Sequence, residues 1–158
     1  MAFALSASLN RGAPKPLMLD DFQDLIEELL GTPAAMRVAL AGAPSDLALR
    51  LVAALSKRDV TELERFHRYI RQTEPHMRAL PGAAVIIANP PETTATAAET
   101  LASFDTARGD LVSLLMNMTL RDWERQATHD EGGFISLAEE VERHVEFDET
   151  MRAAIAAL

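Results

Sequence analysis

The residues with the clearest capacity for chemistry lie near the end of the chain. When positions are placed about 100° apart around a helix that starts at Leu137, His144 and Asp148 fall in the middle of its apolar face. An ionised carboxylate taken out of water is costly unless it is paired, so Asp148 needs a partner, and His144 lies one turn away. The spacing predicts either a buried His–Asp pair or two ligands of one ion.

A divalent transition metal is the ion that such residues would hold. Histidine and carboxylate side chains four positions apart on a helix can face one metal ion with open positions. His67, on an earlier helical segment, is the obvious third ligand, although Phe66 lies closer to the centre of that segment's apolar arc. The candidate metal set is therefore His67, His144 and Asp148, with a purely structural His–Asp pair as the alternative.

Other polar and aromatic residues are expected to be structural. Trp123 is interpreted as a packing anchor, with substrate stacking as the alternative. His129 precedes two acidic residues and is expected to be solvated. A basic strip is expected on a solvated face, or beside a pocket for an anionic thiol or acid, and consists of Arg65, Arg68, Arg71 and Arg78.

Composition narrows the possible functions. The chain of 158 residues contains no cysteine, which excludes a disulfide framework, a thiolate metal site and a cysteine nucleophile. The net charge of −9 disfavours binding to nucleic acid or to an anionic membrane surface. No targeting or membrane-spanning signal is recognisable, so a cytoplasmic location is expected.

Helical periodicity recurs along the chain, and no strand alternation of useful length is present. Residues 1–16 are interpreted as a flexible arm and residues 17–158 as a single helical domain. Asp20 and Gln23 resemble a capping box at the first helix start, and Thr32–Pro33 predicts a break or kink in that helix.

Further helix starts are predicted from capping residues. Ser45 begins a short helix to residue 55, Asp59 begins a separate helix, and Thr96 and Ser136 begin the last two long helices. The apolar connection at residues 81–91 is expected to lie along the bundle. Four long helical stripes predict an all-α four-helix bundle, with a long crossover between the second and third long helices.

Several short segments together resemble the DinB/YfiT-like family over residues 20–157. The C-terminal half carries the resemblance through DWER at residues 122–125, His129, Gly132–Gly133, Ser136–Leu137 and HVEFD at residues 144–148. The segment DVTEL at residues 59–63 resembles the family's capped helix start shortly before a metal-ligating histidine.

The resemblance implies a DinB-like four-helix bundle with a long crossover, and a homodimer. Many members hold zinc, nickel or a similar ion through three histidines, one on the second helix and two on the last. Relatives include transferases and isomerases that use low-molecular-weight bacterial thiols. A divalent metal and a small thiol are therefore the implied cofactor and ligand.

When the three metal-ligating histidines of the family are aligned with this sequence residue by residue, their positions are occupied by Phe66, Phe147 and Met151. These apolar residues imply a degenerate or vacant metal site with a dry bundle centre, and with Trp123 they are the candidate pocket residues. If the alignment with the family is shifted by one residue on the early helix, His67 takes the ligand position in place of Phe66.

Three functions follow as hypotheses. The first is a dimeric binding or structural protein without standard metal chemistry. The second is a metal-dependent transferase or hydrolase that uses a small thiol, with zinc or nickel on His67, His144 and Asp148. The third is a vacated pocket that binds a small apolar ligand.

Overall fold

Four long helices form the body of the protein. The structure, a computed structural model, describes residues 18–158, so the expected arm at residues 1–16 lies outside the described residues. Within this range the helices are α1 (Asp20–Ala39), α2 (Asp46–Arg71), α3 (Ala83–Ala88), α4 (Ala97–Met116), α5 (Leu120–Trp123) and α6 (Leu137–Ala156). Helices α1, α2, α4 and α6 pack together, which confirms the all-α four-helix bundle. No helix in residues 18–158 combines the length and apolarity needed to cross a membrane.

Side-chain caps fix the starts of three long helices. The Ser45 hydroxyl accepts a hydrogen bond from the Ala48 amide at 3.1 Å and begins α2. Reciprocal capping boxes join Thr96 to Glu99 at the start of α4 and Ser136 to Glu139 at the start of α6. These three predicted helix starts are confirmed.

Helix α1 departs from the prediction at both sites where its sequence was distinctive. The N-cap is Leu19, which gives no side-chain cap, so the predicted Asp20–Gln23 capping box is wrong. The Asp21 carboxylate instead accepts from the Met18 amide at 2.7 Å. The helix also continues through Pro33, so of the predicted break or kink the break does not occur.

Helix α2 is one continuous helix of 26 residues rather than the two that were predicted. Asp59 and Glu62 have the three-residue spacing of a helix start, but both lie in the middle of α2 and are buried. The Asp59 carboxylate contacts Arg108 on α4 and His144 on α6, and the Glu62 carboxylate contacts Arg58 and Arg65 of α2 itself. The apparent cap at Asp59 is therefore part of the bundle interior.

Three short strands form a small sheet beside the bundle. The order is β1 (His76–Met77), β2 (Gln126–His129) and β3 (Phe134–Ser136), with β1 parallel and β3 antiparallel to β2. Gly132 and Gly133 join β2 to β3 with φ values of 86° and 81°, a region that glycine adopts without steric cost. Strands of two to four residues are too short to show an alternating pattern, which is why the sequence did not reveal them.

The segment between α2 and α4 contains β1 and α3. Ala83, Ile86 and Ile87 of this segment pack against buried apolar residues of the bundle. The expectation that this connection lies along the bundle is confirmed.

The apolar core is divided into two parts. The Trp123 cluster contains Phe66 with residues of all four long helices, and the Phe104 cluster contains Phe147 and Met151. On α1, α2 and α4 a buried polar residue lies along the chain between the two clusters, namely Thr32, Asp59 and Arg108. On α6 the buried His144 and Asp148 lie on either side of the boundary between the clusters. A charged layer therefore crosses the bundle between Phe66 on one side and Phe147 and Met151 on the other, so the centre is not formed by these apolar residues alone.

Candidate functional site

Two buried groups of charged residues are centred on arginines. The inner cluster consists of Thr32, Asp59, Arg108, His144 and Asp148, one or two residues from each long helix. The outer cluster consists of Glu62, Arg65, His129 and Glu140, from α2, β2 and α6.

Arg108 joins the inner cluster through all the N–H groups of its guanidinium. Nε donates to Asp59 Oδ2 at 2.7 Å, and Nη2 donates to Asp59 Oδ1 at 3.2 Å and to Asp148 Oδ1 at 2.6 Å. Nη1 donates to the Leu29 carbonyl at 2.8 Å and to Asp148 Oδ2 at 3.4 Å. A guanidinium has five N–H donors, and this geometry gives each of them an acceptor.

Pro33 makes one of these contacts available. Proline has no backbone N–H, so the carbonyl four residues earlier, on Leu29, lacks its usual donor within the helix. Arg108 Nη1 supplies that donor from α4. The proline that predicted a break in α1 therefore creates an acceptor for the central arginine.

His144 and Asp148 both lie in the core, as their positions on the helical face predicted. They do not pair with each other as expected. His144 Nε2 lies 2.8 Å from Asp59 Oδ1, while Asp148 bonds to Arg108 and accepts from the Thr32 hydroxyl. Partners on other helices therefore supply the compensation that Asp148 needs.

The surroundings of Asp59 favour its charged form. Burial by itself raises the pKa of this carboxyl, but the hydrogen bond to His144 and the positive charge of Arg108 outweigh burial. The net result is a lowered pKa for Asp59. Asp59 and Arg108 thus form a buried ion pair at the centre of the bundle.

Arg65 occupies the corresponding position in the outer cluster. It donates from Nε and Nη2 to Glu140 Oε1, with the Nε contact at 2.8 Å, and from Nη1 to the Arg78 carbonyl at 2.6 Å. Nη2 also lies 3.4 Å from His129 Nε2, and Nε lies 3.5 Å from Glu62 Oε2. Because a guanidinium only donates, His129 Nε2 is placed opposite it as an acceptor.

The outer cluster leaves hydrogen-bonding capacity unused. Glu62 Oε2, Glu140 Oε2 and His129 Nδ1 are buried and have no hydrogen-bond partner among the described residues. The three side chains border a cavity of about 90 Å³, which Arg58 and Arg143 also line. Buried polar atoms of this kind mark a place that receives water or a ligand.

Burial raises the pKa of Glu62, and this effect is larger than any charge acting on it. The interaction with His144 opposes the rise, the negative charge of Glu140 adds to it, and Arg65 and Arg58 oppose it. The net pKa of Glu62 is raised. The outer cluster therefore shifts this acid in the direction opposite to that of Asp59 in the inner cluster.

The candidate metal ligands are not brought together as a set of three. His144 and Asp148 share the inner cluster, whereas His67 is half-buried on α2 and is not among the residues that contact that cluster. Within residues 18–158, no group of three His, Asp or Glu side chains is placed to hold a metal ion. The available carboxylates point at guanidinium groups instead.

The candidate pocket residues lie in the core. Phe66 belongs to the Trp123 cluster, and Phe147 and Met151 belong to the Phe104 cluster. Trp123 stacks on Phe22 with ring centroids 4.5 Å apart, beside a cavity of about 180 Å³. The Arg58 guanidinium lies 4.1 Å from the centroid of the Phe147 ring, in a cation–π contact.

Sequence reasoning missed Arg108 and assigned two other residues wrongly. His129 was expected to be solvated and Arg65 to lie on a solvated face, but both are buried in the outer cluster. Arg108 lies on the apolar stripe of α4, four residues after Phe104 and three before Leu111. That position is the signal that could have identified it as the cation opposite Asp148.

Comparison with known proteins supports the fold. No protein-family model matches the sequence, and no curated protein matches it. Among solved structures, the chain is similar to YfiT from Bacillus subtilis, with a TM-score of 0.73 and 18% sequence identity over 92% of this chain and 90% of that chain. The likeness confirms the DinB/YfiT-like fold. YfiT is described as a probable metal-dependent hydrolase with an unusual four-helix bundle topology.

Proposed function

We propose that this protein is a binding or structural bundle in which arginines take the role that a metal ion has in metal-dependent proteins of this fold. One observation carries the proposal. Arg108 donates to both carboxylates of the inner cluster, so Asp148 is already neutralised by a cation of the chain itself. A metal site at His144 and Asp148 is therefore degenerate.

Electrostatics explains why a metal ion would be excluded while Arg108 remains in place. Two unit charges of like sign that are 4 Å apart repel each other by about 4 kcal/mol at an effective dielectric constant of about 20. Because a divalent ion carries two charges, its repulsion from a guanidinium at that distance is twice as large. His144 adds no free ligand atom on the Asp59 side, because its Nε2 is engaged with Asp59 at 2.8 Å. Metal binding would require the inner cluster to rearrange.

Elemental analysis of protein purified without chelator tests this proposal. We expect zinc and nickel to be present far below one ion per chain. The Arg37→Ala variant is a matched control, because Arg37 pairs with Asp105 at the surface and its loss leaves both buried clusters unchanged. Stoichiometric metal in the wild-type protein would overturn the proposal.

A metal-dependent transferase or hydrolase that uses a small thiol is the second candidate function. It is favoured by the description of YfiT, the protein of similar fold, as metal-dependent. On this alternative, His67, His144 and Asp148 hold zinc or nickel, and both His67→Ala and His144→Ala reduce metal content. Metal content that is unchanged by both variants would eliminate this ligand set.

The assembly and ligand proposals are tested separately. The proposed binding protein is a cytoplasmic homodimer, and light scattering at micromolar concentration is expected to give twice the monomer mass. A small apolar or thiol ligand would appear as a mass adduct under native conditions in mass spectrometry. A monomeric mass would remove the dimer from the proposal without affecting the assignment of the arginines.

A further inference from the structure

The geometry points to Arg65 as an internal cation that occupies a latent divalent-metal site formed by Glu62, His129 and Glu140. This inference rests on the proposed function and extends it from the inner to the outer cluster. It predicts that removal of one side chain, Arg65, converts the outer cluster into a metal site.

The donor set of the outer cluster is chemically suitable for zinc. Zinc binds histidine nitrogen and carboxylate oxygen, and two carboxylates with one imidazole leave a position for water. His129 already presents the lone pair of Nε2 to a cation, because it faces the donor-only guanidinium of Arg65 at 3.4 Å. Each of the three side chains therefore contacts the same positive group through an atom that could ligate a metal.

With Arg65 in place the three side chains are not positioned as a metal site, but one pair of ligand atoms is close to the spacing of a coordination sphere. His129 Nε2 lies 4.0 Å from Glu140 Oε2. Ligand atoms about 2.1 Å from a tetrahedral zinc ion are roughly 3.4 Å apart. The contraction needed is about half an ångström, which small side-chain rotations can supply once the guanidinium no longer separates the ligands.

The outer cluster also has the unsatisfied charge and the space that a guest cation requires. Glu62 Oε2 and Glu140 Oε2 are buried without hydrogen-bond partners among the described residues, beside the cavity of about 90 Å³. Truncation of Arg65 would enlarge that cavity and remove the cation that contacts both acids. Arg58 would still hold Glu62 Oε1 at 3.2 Å, which leaves Oε2 for a metal ion.

Zinc titration of the Arg65→Ala variant tests the inference. We expect isothermal titration calorimetry to show about one zinc ion bound per chain in this variant, and no comparable binding in the wild-type protein. The matched control is Arg68→Ala, because Arg68 lies one turn further along α2 and donates to the His76 carbonyl rather than to the acids. The double variant Arg65→Ala with Glu140→Gln should lose the gained zinc binding.

Thermal unfolding provides a second measurement. At a free zinc concentration of about one hundred times the dissociation constant, the Tm of Arg65→Ala should rise by roughly 5–10 °C. Guanidinium ion at millimolar concentration should compete with zinc in the same variant, because it fits the space left by Arg65. Zinc binding that survives Glu140→Gln, or that is equal in Arg68→Ala, would overturn the inference.

The Arg65→Gln variant covers the case in which Arg65→Ala does not fold. It removes the charge and keeps most of the side-chain volume, so we expect weaker but detectable zinc binding. Absence of zinc binding in both Arg65 variants would overturn this inference while leaving the proposed function in place. Stoichiometric metal in the wild-type protein would instead contradict the proposed function itself, so the two failures are distinguishable.

Discussion

The inner and outer clusters contain the same types of charged and titratable side chain, but their carboxylates differ in how fully they are hydrogen-bonded. Each cluster contains one central arginine, two carboxylates and one histidine, and the inner cluster also contains Thr32. In the inner cluster every N–H of Arg108 has an acceptor and both oxygens of Asp59 and of Asp148 accept hydrogen bonds, while His144 Nδ1 has no partner among the described residues. In the outer cluster one oxygen of Glu62 and one of Glu140 have no hydrogen-bond partner among residues 18–158.

The difference follows from the elements that supply each cluster. The inner cluster is built by four long helices, whose packing fixes every participant from both sides. The outer cluster takes His129 from a short strand and its backbone acceptor from Arg78, in the segment that follows β1. A buried polar network is more rigid the more of its groups are satisfied. Because the carboxylates of the inner cluster are fully hydrogen-bonded and those of the outer cluster are not, we interpret the inner cluster as a structural element and the outer cluster as the place for a ligand.

The largest expected effect comes from removing the central cation of the inner cluster. Arg108→Ala leaves Asp59 and Asp148 buried without their counter-ion, and breaking a buried pair in this way costs about 3–5 kcal/mol of unfolding free energy. Urea denaturation measures the loss. The surface variant Arg37→Ala should stay within about 1 kcal/mol of wild type. A loss of similar size in both variants would remove the distinction between a buried network and a surface pair.

Removal of Arg65 should cost less, about 1–3 kcal/mol. Glu62 keeps its contact with Arg58, and the adjoining cavity of about 90 Å³ gives water access to the abandoned carboxylates. The same urea experiment, carried out without added metal, gives the comparison. If Arg65→Ala loses as much unfolding free energy as Arg108→Ala, water has no better access to the carboxylates of the outer cluster than to those of the inner cluster.

The sequence revealed those features whose cause is local. Ser45, Thr96 and Ser136 were recognisable as helix starts because a cap depends on residues three positions apart. His144 and Asp148 were recognisable as inward-facing because the face of a helix follows from its period. The bundle fold followed from the same periodicity.

The features that were missed depend on contacts between elements. Asp59 has the sequence appearance of a cap, and only the position of Arg108 on α4 shows why it is buried in mid-helix. Pro33 predicted a break, but the Leu29 carbonyl that it frees has a donor 79 positions away in the sequence. His129 was read as solvated because its sequence neighbours are acidic, whereas Arg65 and Glu140 surround it in the fold.

A smaller effect is expected from Thr32→Val, which tests whether the inner cluster depends on its neutral member. The Thr32 hydroxyl donates to Asp148 Oδ2, which also receives Arg108 Nη1 at 3.4 Å. Loss of one hydrogen bond to a charged group, with the guanidinium still in place, should cost about 1–2 kcal/mol. Thr100→Val is the control, because the buried Thr100 hydroxyl has no partner among the described residues, so its replacement should cost less. An equal cost for the two would show that the Thr32 contact adds nothing to the inner cluster.

The smallest effect, a difference in pH dependence, compares the two clusters most directly. The folded-state pKa of Glu62 is raised above its ordinary value of 4.5, so the folded protein binds more protons than the unfolded chain as the pH rises through that range. The wild type should therefore lose stability relative to Glu62→Gln when the pH is raised from 4.5 through the folded-state pKa. The folded-state pKa of Asp59 is lowered below 3.8, so its contribution is present above that pH and is lost as the pH falls through the folded-state value.

Urea denaturation of wild type, Glu62→Gln and Asp59→Asn across the acid and neutral range measures both slopes. Opposite signs would establish that burial dominates at the outer acid, while hydrogen bonds and the charge of Arg108 dominate at the inner one. If the free-energy difference between wild type and Glu62→Gln does not change with pH, Glu62 titrates alike in the folded and unfolded chains. The surrounding groups of the outer cluster would then stabilise its charged carboxylates more fully than the oxygens without hydrogen-bond partners indicate.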